Sequence, residues 1–229
     1  MHSSRYVVAA AAVLVSMAGP AVAAAEAHRA DATAPSVHCT PTDPALEELS
    51  GLVWSGDGGF AIADRGSDDR LAVLDSRCQI IRRIEIGFPT SDVEDLVLGS
   101  DGTVWLADTG DNDGDRESIA LIGVNPSTGE QRLLPVTFAD GAHDVEAFVL
   151  TATGAPVLVT KVDAAQATVY TTADGATVHT LSPETPTALV AAGTVATLGN
   201  DDEVRPITGA ALSADGSTAA LRTKKDVFL

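Results

Sequence analysis

An all-β chain of the β-propeller class, with four-stranded antiparallel blades, is what the sequence predicts. A stretch of one pattern, a small polar or acidic step, a turn, then a short apolar strand, recurs at Glu48–Asp64, Val93–Asp108 and Val145–Thr160. A weaker copy lies at Ile207–Arg222. Placing Glu94 on Ser50, Glu146 and Thr208 gives steps of 44, 52 and 62 residues, and repeats of roughly 40–50 residues with an internal turn mark propeller blades. The apolar runs beyond the start of the chain are short and bounded by Gly, Asp, Asn, Ser or Pro, which is strand punctuation, and none sustains a helical period.

The elements follow in order. In the first blade (46–91), strands are expected at Gly51–Trp54, Gly59–Ala63, Arg70–Asp75 and Ile80–Ile86. Ser55–Gly59 is the first hairpin turn, where glycine takes positive φ at little cost. The second blade (92–141) offers Asp95–Leu98, Thr103–Ala107, Ser118–Val124 and Gln131–Phe138, with turns at Ser100–Gly102 and Asn125–Gly129. The third (142–205) offers Glu146–Leu150, Pro156–Lys161, Thr168–Thr172 and Thr177–Leu181. The apolar segment Thr187–Leu198 reads as an extra strand pair leading into a fourth, partial blade (206–229) of two strands. The sum is about three and a half blades. A ring must close to hide its edge strands, so the expectation is an incomplete propeller, or one closed by irregular strands from the leader and from Thr187–Leu198.

Residues 1–25 have the form of a signal peptide: Arg5, an apolar run from Tyr6 to Ala18, and a small-residue cleavage site at Ala21-Val22-Ala23. That run, ended by Gly19-Pro20, is too short to span a bilayer. Residues 26–45 read as a flexible leader, and the propeller domain as 46–229, so a secreted, extracellular protein is expected. In such a compartment Cys39 and Cys78 are expected to form a disulfide, closing a loop of about 40 residues worth ~3–4 kcal/mol. There is no Cys-x-x-Cys for redox work.

Fourteen basic against 32 acidic residues give a net charge of −18. That surface repels nucleic acid and anionic membranes, which excludes both as partners. Two readings of the acidity stay open: solubility, or binding of a divalent cation through carboxylate oxygens.

The starts of the inner strands, which face the channel of a propeller, carry Glu48, Ser50, Asp92, Glu94, Asp95, Asp144, Glu146 and Thr208. Carboxylates converging there repel one another unless a cation or protons compensate; the alternative is that they cap backbone N–H groups or pair with arginines. The loop Ala107–Glu117 adds Asp108, Asp111, Asn112, Asp113 and Asp115. It is no EF-hand, because Arg116 and Ile122 stand where that loop needs glycine and glutamate. It is either a calcium loop of another kind or an Asx turn bonding its own backbone, with Arg116 as a structural cation for Asp108. The candidate calcium ligands are therefore Glu94, Asp95, Asp108, Asp111, Asn112, Asp144 and Glu146. His143, beside Asp144, is the candidate acid–base group. No nucleophile elbow, zinc-protease helix, P-loop or dinucleotide fingerprint is present.

The ordered set Asp92-x-Glu-Asp-Leu96, Ala107-Asp-Thr-Gly-Asp-Asn112 with Arg116, Asp144-Val-Glu-Ala147 with Thr160-Lys161, and Thr208-Gly209 with Leu221-Arg-Thr223 resembles a group of secreted bacterial β-propeller proteins. It is more distantly similar to phytase-like, esterase-like and gluconolactonase-type propellers. The resemblance covers roughly residues 46 to 229. It implies a ring of about six blades, with calcium frequent at central acidic residues among the enzymatic relatives. Three functions follow as expectations. One is a secreted binding or scaffold module, taking a small molecule or protein ligand, with or without calcium at the acidic central site. The second is a calcium-dependent hydrolase of phosphate esters, carboxylic esters or lactones, with His143 as proton shuttle. The third is an inactive fragment. Only Arg116, Lys161 and Arg222 recur at positions suited to a phosphate, which weighs against the phosphatase form.

Overall fold

The computed structural model describes residues 36–63, 69–197 and 203–229; the expected signal peptide and the first half of the expected leader, 26–35, lie outside the described residues. The first blade is an antiparallel sheet of β1 (Leu49–Ser55), β2 (Gly58–Ala63), β3 (Arg70–Leu74) and β4 (Ile80–Glu85), in chain order. The second is β5 (Val93–Leu98), β6 (Val104–Asp108), β7 (Ile119–Val124) and β8 (Gln131–Phe138). The third is β9 (Val145–Leu150), β10 (Pro156–Thr160), β11 (Gln166–Thr172) and β12 (Thr187–Ala196). A three-stranded unit, β13 (Ile207–Leu212), β14 (Ala219–Thr223) and β15 (Val227–Phe228), follows. This is the propeller-type, all-β architecture expected from the repeats. The hairpins turn at glycines in the left-handed region, such as Gly56 (φ +60°) and Gly102 (φ +81°).

Blades bury their faces against one another. Ile62 and Leu71 of the first meet Val93, Leu96, Val104 and Ile122 of the second. Trp105, Leu121 and Leu134 of the second meet Phe148, Leu158 and Tyr170 of the third. Val159, Val169 and Val195 meet Ile207, Leu221 and Phe228. The second blade has a neighbour on each side, so every residue of β6 and β7 is buried, whereas the outer β4 keeps Arg82 and Arg83 exposed. Against the first blade's other face a short 3₁₀ helix, Pro44–Leu46, lays Leu46 on Ala61, Ala63, Ala72 and Leu74. The Cys39–Cys78 disulfide, as expected, and the Arg83–Asp43 ion pair at 2.8 Å hold that segment down.

Three details differ from expectation. Thr177–Leu181 is not a strand: it makes a turn whose Val178 and Leu181, three residues apart, bury beside Trp105 and Phe148. The outer strand of the third blade is Thr187–Ala196, a single strand pairing with β11 along its length. Its first residues also pair in parallel with β8, Thr187 opposite Val136 and Leu189 opposite Phe138, so the second and third blades form one continuous eight-stranded sheet. Finally, the fourth unit has three strands where two were expected. Among the described residues no helix is long and apolar enough to cross a membrane.

Candidate functional site

Each inner strand carries a β-bulge at the same place. In β1 the pairing passes from Leu49–Ala63 to Gly51–Ile62, leaving out Ser50. In β5 it passes from Val93–Asp108 to Asp95–Ala107, leaving out Glu94. In β9 it passes from Val145–Thr160 to Ala147–Val159, leaving out Glu146, and in β13 from Ile207–Thr223 to Gly209–Arg222, leaving out Thr208. These are the four residues that the repeat alignment superposed. A bulge re-aims the extra side chain, so one backbone device, used four times, frees these residues from the regular alternation. A run of two small or polar residues opening each inner strand (Ser50-Gly51, Glu94-Asp95, Glu146-Ala147, Thr208-Gly209) is its signal in the sequence.

Ser50, Glu94 and Glu146 lie in one cluster with Asp92, Asp144 and Lys161. The Ser50 hydroxyl lies 2.7 Å from the Glu94 carbonyl oxygen and 3.2 Å from its Oε2. Burial pushes the Glu94 carboxyl up to about 8, Glu146 and Asp92 add repulsion, and Lys161 and Ser50 oppose them. At neutral pH the Glu94 carboxyl is therefore largely protonated and can donate a hydrogen bond. Lys161 Nζ bonds Glu146 Oε1 and lies 3.4 Å from Asp144 Oδ2 and 3.3 Å from Asn112 Oδ1. Burial works against its ammonium, but Glu146, Asp144 and Glu94 outweigh it and hold its pKa above the ordinary lysine value. Both compensations required by converging carboxylates are thus in place: a proton on Glu94 and a built-in cation. The wall opposite is Gly110, where a Cβ would come within 2.6 Å of Glu94 Oε1 and also clash with Asp92.

The seven expected ligands fall into two sets. Asp95, fully buried, accepts N–H bonds from Leu96, Phe148 and Ala210 at 2.9, 3.0 and 3.1 Å; burial still pushes its carboxyl up to about 7. Asp108 accepts from the Asp92 N–H at 2.8 Å and from the Arg116 guanidinium at 3.2 Å. Asp111 accepts from the Asp115 and Arg116 N–H groups, four and five residues on, closing the loop on its own backbone. The oxygens of these three are engaged by protein donors. Glu94, Asn112, Asp144 and Glu146 form the second set, and Lys161 sits among them. Among the described residues, no three carboxylate, histidine or cysteine side chains are grouped so as to hold a metal ion.

His143 follows a different direction from its neighbour Asp144. Its Nε2 lies 2.7 Å from the Tyr170 hydroxyl and 3.1 Å from Asp140 Oδ1, while Tyr170 donates to Asp140 Oδ2 at 2.7 Å. Phe138 meets the His143 ring edge-on. Burial first, and Asp140 second, raise the Tyr170 pKa, and Tyr170 in turn lowers that of Asp140. Sequence reasoning missed Asp140 and Tyr170, because a lone Tyr within a strand and an Asp in a turn carry no spacing signal.

No family model matches the chain, and no curated protein matches it. Among solved structures it is similar to a streptogramin B lyase, at 14% identity and a TM-score of 0.46, over 82% of this chain and 65% of that one. It is also similar to a catalytically inactive virginiamycin B lyase from Staphylococcus aureus with quinupristin, at 15% identity and a TM-score of 0.46, over 82% and 66%. The chain thus spans slightly less than two thirds of the length of either lyase.

Proposed function

We propose that this chain is a secreted β-propeller binding module whose ligand site is the Ser50–Glu94–Glu146–Lys161 cluster at the starts of the inner strands. The observation that carries the reading is the repeated bulge, which releases the equivalent residue of each blade from strand pairing. The cluster would present a small polar ligand with a carboxyl donor, an ammonium, a hydroxyl and carboxylate acceptors on partly buried side chains. Such a mixed set suits hydrogen-bonded recognition. The signal-like segment and the disulfide support export.

Calcium is the second reading, favoured by the excess of carboxylates over cations in the cluster. There the ion would replace the Lys161 ammonium among Glu94, Asn112, Asp144 and Glu146. A hydrolase built on that ion would need a proton shuttle, and His143 is engaged instead with Tyr170 and Asp140, which supports the module over the enzyme. Thermal melting of the exported protein with a library of small polar ligands, with calcium and with a chelator, tests both. Ligand-induced stabilisation that disappears in Glu146→Gln supports the site. A calcium-dependent midpoint together with turnover of a nitrophenyl ester or a simple lactone would favour the hydrolase, and no shift with any addition would remove both readings.

A further inference from the structure

The opposite ends of the same four inner strands enclose a second cavity of about 400 Å³. It goes beyond the cluster just described and shares no residue with it. Leu52 and Trp54 of β1, Leu98 of β5, Leu150 of β9 and Leu212 of β13 line it, together with Asp215 of the β13–β14 hairpin. Leu52 and Trp54 are 48% and 36% exposed, although both are large and apolar and lie two apart on one face of β1. The Trp54 ring lies over Gly59 and meets His38 edge-on, with centroids 5.1 Å apart.

The charge around this cavity has one sign. No lysine or arginine lines it. Asp215 is held as an anion, its carboxyl lowered to about 2 by the Ser213 hydroxyl and by the N–H and hydroxyl of Ser217. The remaining titratable wall group, His179, lies 4.0 Å from Asp101 Oδ2. An anionic ligand meets Asp215 and a protein of net charge −18. A cationic ligand meets a carboxylate and an exposed indole face, to which cations are attracted by the ring quadrupole.

We propose that this cavity is a second binding site, for a small organic cation with an apolar or aromatic body. The body rests on Trp54 and Leu52, and the charge turns to Asp215. The volume lies within the range of small-molecule sites.

The chain reports on this site by itself. Of its two tryptophans, Trp105 is 1% exposed, so Trp54 is the residue a ligand can reach. Benzyltrimethylammonium, neutral benzyl alcohol and anionic phenylacetate are titrated against tryptophan fluorescence, with calorimetry for variants lacking Trp54. Saturable binding of the cation is expected, about tenfold or more tighter than phenylacetate. Asp215→Asn should weaken the cation about three- to tenfold and leave benzyl alcohol unchanged, and Trp54→Ala should abolish the cation's calorimetric signal. Equal affinity for phenylacetate, or no saturation by about 10 mM cation, overturns the proposal. So does a Trp54 emission that shifts with protein concentration alongside a sedimenting dimer, because a second copy then covers the cleft.

Discussion

Ala210 donates its backbone N–H to Asp95 Oδ2 at 3.1 Å, across 115 positions of chain, and so joins the fourth unit to the second blade. The same oxygen accepts from Phe148 of the third blade at 3.0 Å, while Oδ1 accepts from Leu96 at 2.9 Å. One carboxylate therefore satisfies N–H groups of three inner strands. Removing it strands three buried donors, each costing about 1–3 kcal/mol. Asp95→Ala should destabilise by about 3–6 kcal/mol and lower the melting midpoint by about 10 °C or more. Asp95→Asn keeps one acceptor oxygen and should lose about half as much. Thermal melts of both variants check this; an unchanged midpoint in Asp95→Ala contradicts it.

The cluster also has a steric requirement at Gly110. A methyl there would press on the Asp92 and Glu94 carboxylates. Gly110→Ala should cost about 1–3 kcal/mol, as overpacking does, and abolish ligand-induced stabilisation. Gly114→Ala, in the same loop but with no atom within 4 Å of its new Cβ, should pay only for its positive φ and keep the ligand response. Paired melts with and without ligand separate the two.

Stability should fall as pH rises through the neutral range. Glu94 and Asp95 are pushed up to about 8 and about 7 in the folded chain from ordinary values of 4.5 and 3.8. Between those limits the folded state holds protons that the unfolded state has released, so the stabilisation present below about pH 4 is lost towards pH 8. Urea midpoints should decrease from about pH 5 to about pH 8, and Glu94→Gln should flatten the curve. A midpoint that rises over this range in the wild type contradicts the assignment.

Reduction of Cys39–Cys78, 39 residues apart, should cost ~3–4 kcal/mol. It frees the segment that lays Leu46 on the first blade, so protease cleavage should appear first before residue 49. Melts and limited proteolysis with and without reductant test this.

Much of the fold was legible because each inner hairpin carries its own turn glycine and its own polar opening. The outer strands were less so. Val178 and Leu181 belong to a short apolar run between turn residues but stand three apart and bury together as a packed turn, and the alanine-rich Thr187–Ala196 is fixed as a strand by pairing with both β11 and β8. The acidic residues show the same limit. Asp95, Asp108 and Asp111 have the composition of calcium ligands, yet their oxygens meet backbone N–H groups and Arg116. Composition cannot tell a carboxylate turned on its own backbone from one turned to a ligand. Lys161 stands 67 positions after Glu94, and only the closing of the blades brings the ammonium to the carboxyl.

The most direct test is a carboxyl carbon-13 titration of Glu94 in the wild type and in Glu146→Gln. A wild-type midpoint near 8 that falls when the Glu146 charge is removed, and rises in Lys161→Met, is what a shared cluster requires. A Glu94 that titrates near 4.5, or does not respond to either substitution, would mean that the inner strands do not bring these side chains together.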